Sequence, residues 1–299
     1  MLTQIRTLRW WIWGLVCICN IQYGSAQELL VNVYGRQYTL LNGKWNAIID
    51  PYQQGRKTAI YRNRALKDKA DFKEYAFEGG LRLNVPSDWN SQIPELKYYE
   101  GTMWYARKFE INKKSDENLF LYFGAVNYRC RVYLNGTLIG SHEGGFTPFQ
   151  FNVTNVVKEG GNFLAVEVDN TRTADAIPAL SFDWWNYGGI TRDVMLVHTP
   201  KNYIRDYFIQ LDKYDSDRVH AEVQLSAQNA GQLVKIEIPE LKIANKVFTD
   251  GTGLAKATFR VRNLERWSPQ APKLYQVIVS SDCLLYTSPS PRDAHESRM

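Results

Sequence analysis

Short runs of alternating apolar and polar residues, divided by turn-forming residues, fill the chain from about Leu41 to Thr199. "LFLYFGAV" (119–126) and "NFLAVEVDN" (162–170) show this two-residue period, which places alternate side chains on opposite faces of a strand. "RCRVYLNGTLIGSHEGG" (129–145) predicts a hairpin, because Asn135-Gly136 tolerates positive φ at both turn positions. No helical period competes with these strands. The spacing, sustained over roughly 160 residues, predicts a β-sandwich of jelly-roll type.

After "HTPKN" (198–202) a second series begins with "YIRDYFIQLD", "RVHAEVQLSAQ", "LVKIEIPEL", "GLAKATFRVR" and "KLYQVIVSS". These runs predict a smaller sandwich of immunoglobulin-like size, which is about 100 residues. "DGTG" at Asp250–Gly253 is a turn within it. No helix follows that turn, so it is not a phosphate loop.

Both ends depart from the pattern. Residues 1–26 are expected to be a secretory leader: Arg6 and Arg9 supply the charge, "WWIWGLVCICNI" is too short to span a bilayer, and "GSA" precedes Gln27. A membrane anchor or a buried helix is the alternative. At the other end, "CLLYTSPSPRDAHESRM" places two prolines where a further strand would need backbone donors. This tail is expected to be non-native, resembling a translated cloning adapter, with native sequence stopping near Asp282; a natural disordered tail is the alternative. The predicted organisation is therefore a leader over 1–26, a jelly roll over 27–200, an incomplete immunoglobulin-like sandwich over 201–282 and a tail over 283–299.

Composition narrows the function classes. Hydrophobic residues make up 44% and aromatics 13%, enough for real cores. The net charge of +5 falls to about +3 without Arg6 and Arg9, and no basic run concentrates it. Charge thus gives no case for a nucleic-acid partner. Cys17 and Cys19 belong to the leader; neither follows the small residue that a lipoprotein cleavage site favours. Cys130 and Cys283, one for each sandwich, are expected to pack inside rather than bridge. No CxxC pair, HExxH or cluster of His and Cys points to a metal, and nothing implies a cofactor. On a secretory route Asn135 (NGT) and Asn152 (NVT) are formal glycosylation sequons in a eukaryotic host.

Several phrases in order carry a resemblance: "LNGKWNAIIDP", "VPSDWNSQ", "YYEGTMWYARKFEI", "FGAVNYRCRVYLNGTLIGSHEGGFTPFQFNVT", "FDWWNYGGITRDVMLVHTP" and "LERWSPQAPKLYQVIV". Together they span roughly residues 38–281 and resemble glycoside hydrolase family 2, which contains β-galactosidases, β-glucuronidases and β-mannosidases. "EGGFTPF" and "DWWNYGGITR" resemble the β-glucuronidases most, especially secreted ones of gut bacteria.

The resemblance implies an all-β front half, with a sugar-binding jelly roll followed by an immunoglobulin-like sandwich. The family's (β/α)8 barrel, which carries two glutamates, has no counterpart here; such a barrel needs about 250 residues. Retaining hydrolysis requires two carboxyl groups about 5 to 5.5 Å apart around the sugar. No catalytic residue is therefore expected in this chain. The resemblance also implies a β-glycoside or glucuronide as the intact enzyme's substrate, and a homo-oligomer as its assembly.

One substrate-binding residue is carried over. Asp183, in "FDWWNYGGI", matches the family's acid that touches sugar hydroxyls at the barrel mouth, and a carboxylate suits that role. The bland alternative is that Asp183 caps its own turn. Trp184 and Trp185 are expected to be core or interface aromatics, and Asn186 to satisfy loop backbone. Gly188 and Gly189 are expected to allow a tight turn, and Arg192 to form an ion pair from a strand. His142 and Glu143 could suggest an acid/base pair, but their place after the hairpin predicts a structural loop. Two rival readings remain open, a free-standing carbohydrate-binding module and a cell-surface adhesion protein.

Overall fold

The computed structural model describes residues 29–64, 75–215, 217–262, 264–281 and 284–286. The expected leader, Cys283 and the Ser-Pro run lie outside these residues. Strands and short 3-10 turns form all the regular structure among the described residues.

The first sandwich runs through β1 (Tyr38–Leu40), β2 (Gly43–Ile49), β3 (Leu81–Val85), β4 (Ser87–Asp88) and β5 (Thr102–Ile111). It continues with β6 (Glu117–Phe123), β7 (Val126–Asn127), β8 (Arg129–Leu134), β9 (Thr137–Glu143) and β10 (Phe149–Asn152). β11 (Gly160–Asp169), β12 (Gly189–Ile190) and β13 (Val194–Pro200) complete it. A four-stranded sheet in the order β1-β13-β6-β10 packs against a six-stranded sheet in the order β3-β2-β5-β11-β8-β9. A small third sheet, β4-β12-β7, forms at one end.

Period-two alternation explains the packing between the sheets. Met103 and Tyr105 of β5 and Leu164, Val166 and Val168 of β11 meet Leu119, Leu121 and Phe123 of β6 in the main core. The outer face of the large sheet is also covered, over Trp104, Ala106, Tyr133 and Ala165, by Ile60 and Phe77 from the connection between β2 and β3. Asp50 pins that connection: it accepts from the amides of Gln54 and Gly55 (2.8 Å each), the Tyr75 hydroxyl (3.1 Å) and Trp104 Nε1 (3.0 Å).

The predicted hairpin is present, with Asn135 at φ 52° and Gly136 at φ 82°. The Asn135 side chain is engaged inside the fold, donating to Val156 O and Asn162 Oδ1 and accepting from Phe163 N. Its Nδ2 is thus occupied, and the sequon there is a structural one. Cys130 packs in the main core as a free thiol, and burial pushes that thiol up to about 12.

The second sandwich contains β14 (Ile204–Leu211), β15 (Arg218–Leu225), β16 (Leu233–Ile238), β17 (Ile243–Phe248), β18 (Leu254–Arg260), β19 (Ile278–Ser281) and β20 (Leu284–Tyr286). Three strands, β14-β15-β18, face four, β17-β16-β19-β20. β17 was not foreseen in the sequence: its alternation involves only half-buried and exposed positions, so it carries no strong apolar signal. β20 corrects the expectation that nothing past Asp282 joins a sandwich, since Leu284–Tyr286 pairs antiparallel with β19. Backbone pairing at a sheet edge needs no buried face, and the prolines come only after this strand.

The two cores differ in kind. The first buries Trp45, Trp89, Tyr105 and Phe123, whereas the fully buried members of the second are aliphatic, from Ile204 to Val279. Larger buried area per side chain stabilises the first sandwich more. Two calorimetric transitions are expected, the lower from the second sandwich. Ile236→Ala, at a position 0% exposed, should lower only that transition, by about 2–5 kcal/mol. One transition that moves as a whole with this substitution would contradict the assignment.

Candidate functional site

After β11 the chain leaves the large sheet and crosses the end of the first sandwich, with no ladder partner until Gly189. Buried asparagines replace the missing ladder. Asn170 Nδ2 donates to Asn186 O (3.0 Å), and Asn186 Nδ2 returns a bond to Asn170 O. Asn170 Oδ1 accepts from Gly101 N (2.9 Å), and Asn90 Oδ1 accepts from Gly188 N (2.9 Å). Asn127 Nδ2 donates to Tyr187 O and reaches Asn186 Oδ1 at 3.5 Å, while its own Oδ1 has no partner among the described residues. Asn90 also ties down its own segment, donating to the carbonyls of Leu96, Lys97 and Tyr99.

The role expected of Asn186 is therefore met, but Asn90, Asn127 and Asn170 were missed. Each sits in a phrase already quoted or at the end of a strand: "VPSDWNSQ", "FGAVNY" and "VEVDN". For Asn127 and Asn170, an asparagine closing a strand was the available signal.

The glycines have a different purpose from the tight turn expected of them. Gly189 is inside β12, paired with Asp88 and Asn127, at φ +143°. Gly188 lies on Trp89 so closely that a Cβ would come 2.1 Å from Trp89 Cζ2. Gly188 permits a close approach to a fully buried tryptophan and Gly189 one to the backbone of Ser87 and Asp88, rather than a reversal of the chain.

With the backbone fixed from beneath, the loop's large side chains face outward. Trp184 is 57% exposed and Trp185 38%, so neither belongs to a core within the described chain. Phe182 stacks on Trp184 at 5.1 Å, and Trp185 meets Tyr98 at 5.1 Å and Tyr187 at 6.2 Å. Arg172 tethers the loop from the side through Glu100 (2.6 Å) and Phe182 O (3.4 Å). Asp183 lies exposed among these rings and accepts no hydrogen bond from the described residues, so it does not cap the turn.

Three other expectations can be placed. Arg192 occupies a bend before β13, where Nη1 donates to Phe146 O (3.3 Å); it is neither in a strand nor in an ion pair among the described residues. His142 and Glu143 end β9 rather than forming a loop. The His142 ring stacks on Phe149 at 4.1 Å and Glu143 pairs with Arg129 at 3.1 Å, so both are used structurally. Among the described residues no three His, Cys, Asp or Glu side chains gather as a metal site.

What the arrangement offers is a rigid platform: one carboxylate with unspent acceptor capacity, flanked by aromatic faces. Its rigidity depends on the contact at Gly188. Gly188→Ala should lower the thermal midpoint of the first sandwich, at a cost of about 1–3 kcal/mol, and shift the tryptophan emission. An unchanged midpoint would show that Trp89 can move aside.

Comparison with known proteins agrees with this architecture. The model of the sugar binding domain of glycosyl hydrolases family 2 matches residues 39–200, and a second model of that family matches residues 202–283. The β-galactosidase of Thermoanaerobacter pseudethanolicus is 30% identical over 236 residues, covering 74% of this chain and 32% of the relative. The β-glucuronidase of Homo sapiens is 28% identical over 291 residues, covering 86% of this chain and 42% of the relative. A solved β-glucuronidase from an uncultured Clostridium superposes with a TM-score of 0.69 at 28% identity, over 87% of this chain and 45% of that one. The chain thus spans less than half the length of each of these relatives. By both family models, over nearly all of its described length, the chain belongs to glycosyl hydrolases family 2.

Proposed function

We propose that this chain is the non-catalytic front part of a secreted, retaining β-glycosidase of β-glucuronidase type, with Asp183 as a contact to sugar hydroxyls. The observation that carries this reading is the state of Asp183: exposed and unbonded among the described residues, on a backbone held by buried asparagines. A sugar hydroxyl donating to such a carboxylate forms a charge-assisted bond, with little ordering of the loop still to be done. The exposed rings of Phe182, Trp184, Trp185 and Tyr187 form the surrounding face. Exposed apolar patches of this kind mark surfaces that meet another body. In our reading that body is the remaining length of the family's chain, which also supplies the pair of carboxyl groups.

A β-galactosidase is the second reading, favoured by the 30% identity to the Thermoanaerobacter pseudethanolicus enzyme. The uronic acid carboxylate distinguishes the two substrates.

The test uses this chain alone and the longer protein read from the uninterrupted gene. The chain alone should hydrolyse neither p-nitrophenyl β-glucuronide nor the β-galactoside. In the longer protein, Asp183→Ala should lower kcat/KM about 10- to 100-fold, the loss expected for one charged hydrogen bond, with its melting unchanged. Full activity in that variant would remove Asp183 from the site, and turnover by the chain alone would refute the division of labour. Secretion has its own readout: the exported protein should begin at Gln27, and an intact Met1 in that fraction would count against a cleaved leader.

A further inference from the structure

A second polar feature lies on the outer face of the six-stranded sheet, away from the aromatic platform. The register across β9, β8 and β11 aligns Ser141 with Arg131 and Glu167, and Glu143 with Arg129 and Asp169. Residues directly opposite one another in neighbouring strands share a face. The connection after β2 brings Arg56 over these two rows, and together they line a cleft of about 310 Å³.

Mutual pairing fixes the positions of the charged groups. Glu167, buried at the floor, is ion-paired through Oε1 with Arg56 Nε (3.2 Å) and accepts from Arg131 Nη1 (3.5 Å). Its Oε2 has no hydrogen-bond partner among the described residues. On the neighbouring row, Arg129 Nε meets Glu143 Oε1 at 3.1 Å, and Asp169 Oδ1 accepts from Thr171. Three guanidinium groups therefore alternate with three carboxylates, and Glu167 Oε2 is left as an unspent acceptor at the floor.

This alternation selects a ligand class. An anion attracted by the arginines would meet Glu143, Glu167 and Asp169. A cation would meet the three guanidinium groups. An apolar ligand would strip water from charged groups without replacing their bonds. A hydroxyl both donates and accepts, so a molecule with several adjacent hydroxyls can bridge each guanidinium–carboxylate pair. The volume falls at the small end of ligand sites, which occupy about 300–1,000 Å³.

We propose that this cleft binds a pyranose unit of a carbohydrate through its hydroxyls, as a site separate from the Asp183 loop. Asp183 is not among the residues lining it. The two sites touch indirectly, because Arg129 also bonds Thr171 O (3.3 Å) and Thr173 Oγ1 (2.8 Å) at the start of the loop segment.

Amide NMR titration of the isotopically labelled chain with methyl β-D-glucopyranoside, methyl β-D-galactopyranoside and sodium sulfate tests this. At least one glycoside should shift the amides of Arg131, Ser141 and Glu167 saturably, with a roughly millimolar Kd. Arg131→Ala should weaken binding about tenfold. Ser141→Trp, at an exposed position, should fill the cleft and abolish binding while the remaining spectrum stays folded. Asp183→Ala should leave the shifts unchanged, which keeps this result independent of the proposed glycosidase site. Sulfate binding without sugar binding, shifts confined to the loop around Asp183, or no saturable shift with either glycoside would overturn the proposal.

Discussion

An amide or carbonyl buried without a partner costs about 1–3 kcal/mol, and the end of the first sandwich must meet that constraint without a β-ladder. Between Asp169 and Gly189 the chain runs over a packed surface in irregular conformation. Asn90, Asn127, Asn170 and Asn186, all buried, supply the hydrogen bonds that a neighbouring strand would otherwise provide. A side-chain amide carries both a donor and an acceptor on one short stem, so it can substitute for a peptide group. Because the backbone is held on its inner side, the rings of Phe182, Trp184, Trp185 and Tyr187 and the carboxylate of Asp183 are left facing out. The exposure of this platform follows from how its backbone is satisfied.

The two faces of the large sheet show how one strand can serve different purposes. β11 buries Leu164, Val166 and Val168 against the opposite sheet. Its other face presents Phe163 and Ala165 to a small aromatic cluster, then Glu167 and Asp169 to the ionic cleft. Burial raises the Glu167 carboxyl while Arg56 and Arg131 lower it, and the upward effect prevails. A carboxylate kept at such a position requires both arginines, and those arginines give the cleft its donors. The second sandwich, with its aliphatic core, is joined to the first through bonds such as Arg36 Nη2 to Ile204 O (2.8 Å) and Asn118 Nδ2 to Pro200 O (2.9 Å).

Much of the fold was legible because strands write their period directly into the sequence. The Asn135-Gly136 hairpin, the run "NFLAVEVDN" and the turn at Asp250–Gly253 are all where alternation and turn chemistry place them. β17 escaped because an edge strand with half-buried positions has little apolar contrast, and β20 escaped because it is only three residues long and prolines follow it closely. At the candidate site the loop itself and Asn186 could be read, along with the interior place of Cys130. Arg192 could not be, since whether an arginine finds a carboxylate or a carbonyl depends on which loop lies opposite, here the one carrying Phe146.

The sequence by itself determined the all-β architecture, two successive sandwiches and the family, because local periodicity and ordered phrases survive without knowledge of distance. Tertiary structure alone decided which residues share a place. Asn90 and Gly188 are far apart in sequence yet bonded, Trp89 dictates a glycine at 188, and Arg56 reaches Glu167 across the sheet. The physical reason is the register and closure of the sheets: alternation assigns a side chain to a face, but only the pairing of strands assigns it a neighbour.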